Sequence, residues 1–212
     1  MTESPGLSRR HLVVGGVAAA GVWVAPSVIG LDRVAAAEPS NGYSLLYSED
    51  FEGAIGVAGV ASWNNVSTAD PTSTNRILGR FGNDTVTLRM ALPAHECLRI
   101  CFDLFVNDSW DGTNPTYGGP DRFGFGIDGT TIWNEPYNSS NAPAGGTIIQ
   151  GPAQMWFTGR WPDRVIQYCV EIPHTDPTAN FTFFGSGLQG LNDESWGLDN
   201  VEVFVGLSLI HI

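Results

Sequence analysis

Asn200-Val201-Glu202-Val203-Phe204-Val205 decides the fold. The valines point to one side and Glu202 to the other, which is the two-residue period of a strand with one face in a core and one in water. Working outward, the same kind of run, rich in Val, Thr, Phe and Tyr and bounded by Gly, Pro, Asn and Asp, recurs along the chain. It predicts strands over 44–51, 85–92, 97–106, 122–127, 164–172, 180–185 and 197–205. No long stretch carries a helical period. The turn-rich segments 107–120 and 134–152 are expected to be long loops at the rim of a β-sandwich, where such folds keep their sites. The predicted class is all-β: a two-sheet antiparallel sandwich.

The two ends read differently. Ser8-Arg9-Arg10-His11-Leu12 opens an apolar run that carries no charge until Asp32 and ends in Ala35-Ala36-Ala37. The run to Ala25 is rich in Gly and Ala, is interrupted by Pro26, and is shorter than the roughly 20 apolar residues of a spanning helix. Residues 1–37 are therefore expected to be a cleaved twin-arginine signal peptide. His11 and Val14 depart from that consensus, which leaves the general secretory route open; either way the protein is expected to be secreted or at the cell surface. Residues 207–212, Leu-Ser-Leu-Ile-His-Ile, lack turn chemistry and match a translated transposon end from sequencing libraries. They are read as an assembly scar, beyond which a native chain is free to continue; a natural apolar tail is the alternative.

Between these ends lie about 169 residues, 38–206, enough for one domain with a sizeable core. They hold seven arginines, no lysine and twenty carboxylates. A surface so acidic excludes nucleic acid as a partner, because phosphates need cationic contacts. The carboxylates are either solvated or neutralised by bound metal. Of the three cysteines, Cys97 and Cys101 share a strand face about 13 Å apart, too far to bridge. Cys169 then pairs with one of them, Cys101 in preference to Cys97. With only His95 and His174, a histidine-rich metal centre is not expected.

Gly124 to Gly129 and Gly185 to Gly190 match Gly-x-Gly-x-x-Gly, but neither opens a helix in a βαβ unit, so they are turn and strand glycines. Asp108-Ser109-Trp110-Asp111-Gly112 followed by Gly119-Pro120-Asp121 gathers three carboxylates in one glycine-hinged loop. Hard oxygen ligands on such a loop suit calcium. It is not an EF-hand, because position twelve is Gly118; the plainer reading is that Asp108, Asp111 and Asp121 cap turns. Asp193-Glu194-Ser195-Trp196-Gly197-Leu198-Asp199 leads an acidic turn into the last strand, and Asp199 falls within the strand, where it needs a cation, hydrogen bonds or water. Trp110, Tyr117 and Trp133 are the candidate faces for stacking a ligand ring; Trp156, Trp161 and Trp196 add to the aromatic surface.

Asp50-Phe51-Glu52-Gly53 with Trp63, the Ser-Trp-Asp-Gly and Gly-Pro-Asp pair, and Glu-Ser-Trp-Gly-Leu-Asp-Asn-Val together resemble secreted bacterial modules of the concanavalin A-like lectin/glucanase superfamily. They are similar also to jelly-roll carbohydrate-binding modules and MAM domains. The resemblance implies a jelly roll whose first and last strands adjoin and share a structural cation, with Glu52 and Asp199 as its ligands. It also implies an extracellular glycan as partner. The Glu-x-Asp-x-x-Glu strand of glucan hydrolases is missing, as are Gly-x-Ser-x-Gly and His-Glu-x-x-His, and His174 has no recognisable triad partner. The expectation is a calcium-stabilised, non-catalytic binding module for extracellular polysaccharide. The rivals are a cell-surface adhesion protein anchored beyond residue 206 and a glycan hydrolase or lyase with unrecognised carboxylates.

Overall fold

The computed structural model describes residues 42–138, 145–153 and 156–206, so the leader and the tail lie outside the described residues. Among them the chain forms β1 (Tyr43–Glu49), β2 (Ala61–Trp63), β3 (Thr68–Thr72), β4 (Asn75–Phe81), β5 (Thr85–Ala91) and β6 (Cys97–Asp108). There follow β7 (Arg122–Ile127), β8 (Thr130–Pro136), β9 (Gly146–Ala153), β10 (Asp163–Pro173), β11 (Thr178–Ser186) and β12 (Glu194–Gly206). One sheet runs β3-β4-β12-β6-β10-β9, with β1 also on β12, and the other runs β2-β5-β11-β7-β8. Every pairing is antiparallel. The fold is an all-β jelly-roll sandwich; no helix of the described residues is long and apolar enough to cross a membrane.

Alternation builds the core. Leu98, Ile100, Phe102, Leu104 and Val106 of β6 face Val86, Leu88 and Met90 of β5 and Phe181 and Phe183 of β11 across the sandwich. Phe105, of opposite parity, joins Ile77, Trp156 and Val165 in a small cluster on the outer face of the first sheet. The segment 134–152, expected to be a loop, instead carries the end of β8 and most of β9. These are edge strands, exposed along most of their length, so they lack the apolar alternation that marked the central strands. β2, β3 and β4 are likewise strands beyond those expected from the sequence. β2 is three residues long, and Pro71 lies within the edge strand β3 as Pro152 lies within the edge strand β9.

β12 has one irregularity that positions a site residue. Leu198 pairs with Leu104 and Asp199 with Asp103, but the next partners are Glu202 and Cys101, so the ladder bulges. Asn200 takes a left-handed backbone at φ 48° within the bulge. The extra residue resets parity: Trp196 and Leu198 face the core before it, Val201 and Val203 after it. At the same point the neighbour of β12 changes from β4, paired through Leu198, to β1, paired from Val201. Asp199 sits in that gap, with Glu52 just beyond β1 and Asn75 at the start of β4.

Candidate ligand cleft and metal centre

The core faces of β12 and β7 continue past the apolar interior into carboxylates. Glu194 shares the inward parity of Trp196 and Leu198, and Asp121 shares that of Phe123 and Phe125. Both are fully buried. Asp111, on the loop after β6, joins them, so that ligand atoms of Asp111, Asp121 and Glu194 lie within 4.8 Å of one another. It is the one such group of three among the described residues. The backbone N–H of Asp111 donates to Asp121 Oδ2, and that of Gln189 donates to Glu194 Oε2 at 2.8 Å. Asp121 Oδ1 and Glu194 Oε1 are buried without a hydrogen-bond partner.

Burial raises all three carboxyls, and the charge of Asp193 adds to each; those of Asp121 and Asp111 add further at Glu194, which is pushed up to about 8. Asp199, 4% exposed, is pushed up to about 7, chiefly by burial, with the charges of Asp103 and Glu52 adding to it. The Asn200 N–H at 2.7 Å acts in the opposite sense. In the unfolded chain the aspartates titrate near pH 3.9 and the glutamate near pH 4.3. A carboxyl raised on folding holds its proton more tightly in the native state, so its contribution is complete below its unfolded value and is lost as pH rises through 7 and 8. In chelator, the melting temperature is therefore expected to fall between about pH 5 and pH 8. A flat or rising profile would count against these buried acids.

Of the carboxylates expected to bind metal, Asp111 and Asp121 meet and Asp108 does not join them. Asp108 has φ 70°, which breaks the alternation of β6. Its carboxylate goes instead to Arg80 Nη2 at 3.3 Å and to the hydroxyl of Thr158. Its N–H is held by Asp163 Oδ1 at 2.8 Å. Glu52 is exposed and accepts from the Arg76 N–H at 2.6 Å. Asp199 is near enough to Glu52 to feel its charge, and Asn75 donates to it.

Beside the three-carboxylate group lies a cleft of about 460 Å³ lined by Ser109, Asp111, Tyr117, Trp161, Gln189 and Asp193, with Pro162. Tyr117 and Trp161 are 68% and 39% exposed. The Gln189 side-chain amide donates to the Tyr117 carbonyl at 3.0 Å, and the Arg160 guanidinium lies 5.1 Å from the Trp161 ring centre. Trp110 is corrected as a stacking face: it is 1% exposed, and its indole N–H donates to the Ser195 carbonyl at 3.1 Å. Trp133 is half-buried against Phe125 and Tyr168 and does not line the cleft. Glu194 was not singled out from the sequence, although its parity with Trp196 was there to read.

Cys101 and Cys169 are cross-strand partners on β6 and β10 and form a disulfide, with Cα atoms 4.1 Å apart. At the other end of the sandwich His174 is hydrogen-bonded through both ring nitrogens. Its Nδ1 meets His95 Nε2 at 2.7 Å, its Nε2 meets Asp128 Oδ2 at 3.0 Å, and His95 Nδ1 meets the Pro93 carbonyl at 2.7 Å. All four ring nitrogens are thereby occupied, and none of these partners is a hydroxyl or thiol that could act as a nucleophile.

No family profile and no curated protein matches the chain. Among solved structures it is similar to dimeric latent PorU from Porphyromonas gingivalis, at 13% identity and TM-score 0.44, over 82% of this chain but 14% of that one. A family 35 carbohydrate binding module from an environmental isolate is similar at 13% identity and TM-score 0.38, over 74% of this chain and 92% of that one. Another family 35 module, from Clostridium thermocellum, is similar at 10% identity and TM-score 0.36, over 77% of this chain and 98% of that one. At this level of likeness no residue is carried across.

Proposed function

We propose that the chain is an exported, calcium-stabilised, non-catalytic module that binds an extracellular glycan in the cleft of Tyr117 and Trp161. The observation that carries this reading is the pairing of two exposed aromatic rings with polar edges on one concave surface. A pyranose presents apolar C–H faces that stack on such rings and hydroxyls that bond to Asp111, Gln189, Asp193 and Ser109. Hydrolysis is the second reading: Asp111, raised by burial, and Asp193 both line the cleft, whereas Glu194, pushed up to about 8, is fully buried. The disulfide supports an oxidising compartment, in keeping with export through the twin-arginine leader.

Calcium suits the donor set because only hard carboxylate oxygens are offered and they come from three separate segments, which tolerates its irregular geometry. The residues that would hold it are Asp111, Asp121 and Glu194, with the Glu52 and Asp199 pair as the second acidic place. An ion bound only by the folded state would raise its stability by mass action.

The glycan reading is tested by screening the protein against an array of microbial and plant polysaccharides, then measuring the affinity of Trp161→Ala and Tyr117→Ala for the best ligand. Burying one ring is worth about 1.5–3 kcal/mol, so each variant is expected to bind roughly tenfold more weakly or worse. Their melting temperatures should not move, because both rings are exposed. Unchanged affinity in both variants would remove the cleft from the reading.

A further inference from the structure

We propose that calcium held by Asp111, Asp121 and Glu194 arms the cleft, so that glycan binding requires the ion. This rests on the glycan-binding reading above. The two fully buried carboxylates each leave one oxygen without a partner, Asp121 Oδ1 and Glu194 Oε1. An acceptor stranded in the interior is unfavourable, and two stranded acceptors beside a third carboxylate repel as well. Arg80 is engaged by Asp108 instead. A divalent cation removes both penalties at once.

The other oxygens of the same two carboxylates hold the walls of the cleft. Asp121 Oδ2 accepts the N–H of Asp111, and Glu194 Oε2 accepts the N–H of Gln189. Gln189 in turn holds the Tyr117 carbonyl through its side chain at 3.0 Å. Asp111, Gln189 and Tyr117 all line the cleft. An ion that fixes Asp121 and Glu194 therefore fixes a polar wall through one link and the exposed aromatic ring through two. Calcium takes six to eight oxygens. Of the six that three carboxylates offer, two are already engaged by the N–H groups, which leaves coordination positions for water or for sugar hydroxyls.

The test uses the full-length exported protein and calcium itself as the probe. Titration calorimetry of protein freed of metal is expected to show calcium binding that magnesium does not reproduce. The binding should be lost in Asp121→Asn with Glu194→Gln and weakened in Asp111→Asn, whose side chain is only half-buried and whose fold is the safer control. Glycan affinity should fall at least tenfold in chelator, with melting curves confirming that the protein stays folded at the assay temperature. Calcium binding that survives in the double variant, or no calcium binding at all, overturns the inference. Glycan binding equal in calcium and chelator but lost in Trp161→Ala overturns the inference and leaves the glycan reading standing. Calcium binding with no glycan bound in any condition overturns the glycan reading, and the arming of the cleft falls with it.

Discussion

Trp196→Ala is expected to destabilise the protein by about 3–5 kcal/mol, the range for deleting a buried tryptophan from a core that cannot close over the hole. Trp196 is fully buried, packs on Phe81 at 4.9 Å and Phe123 at 5.2 Å between ring centres, and donates to the Gly82 carbonyl at 2.7 Å. It therefore ties β4, β7 and the head of β12 together. Asp121 immediately precedes β7 and Glu194 begins β12, so the same ring sets the separation of the two buried acids. Urea unfolding measures the loss. A change below about 1 kcal/mol would mean that the site collapses around the deletion and that the frame of the acidic group lies elsewhere.

The second large effect concerns the disulfide. Replacing Cys101 and Cys169 by serine, or reducing the bond, is expected to cost about 4 kcal/mol on the chain-entropy estimate for the closed loop, given a sequence separation of 68. The pair lies on the outer face of the first sheet, in the parity of Phe105 and opposite to the core residues, so serine there leaves no apolar cavity. The loss is thus expected to come from the freed unfolded chain. Cys97→Ser is the control, because Cys97 is unpaired. Equal stability of wild type and double variant in matched urea titrations would show that the bond constrains nothing the folded strands had not already fixed.

Central strands were legible because burial on one face imprints the period of two. β5, the first half of β6, β11 and the start of the second half of β12 show it, and the all-β class follows from them. Edge strands were not: β8 and β9 face water along most of their length, and β2 is too short to show a period. The site was legible in part. Asp111 and Asp121 were picked out by clustering in one loop, but Asp108 was grouped with them because sequence does not reveal a left-handed turn at a non-glycine residue. Glu194 was readable by stepping back two residues at a time from Leu198 and Trp196, yet its place among exposed-looking acids hid it. Asp199 was marked correctly as a charge within a strand. What no periodicity could show is the bulge beside it, which lets Leu198 and Val201 face inward three residues apart. Trp161, in a Pro-flanked turn, carries no sequence mark that separates it from buried Trp110.

The proline-bearing edge strands bear on how copies of this protein meet one another. Pro71 in β3 and Pro152 in β9 each remove a backbone donor from an outer strand of the first sheet, and the second sheet ends in three-residue β2 on one side and in β8, closed by Glu135-Pro136, on the other. A strand that cannot offer an unbroken row of N–H groups is a poor template for another chain. Lateral polymerisation through the sheets is thereby discouraged, and the chain's formal charge of −12 adds repulsion between copies. Such a protein can be concentrated on a surface without its sandwiches fusing into a continuous sheet.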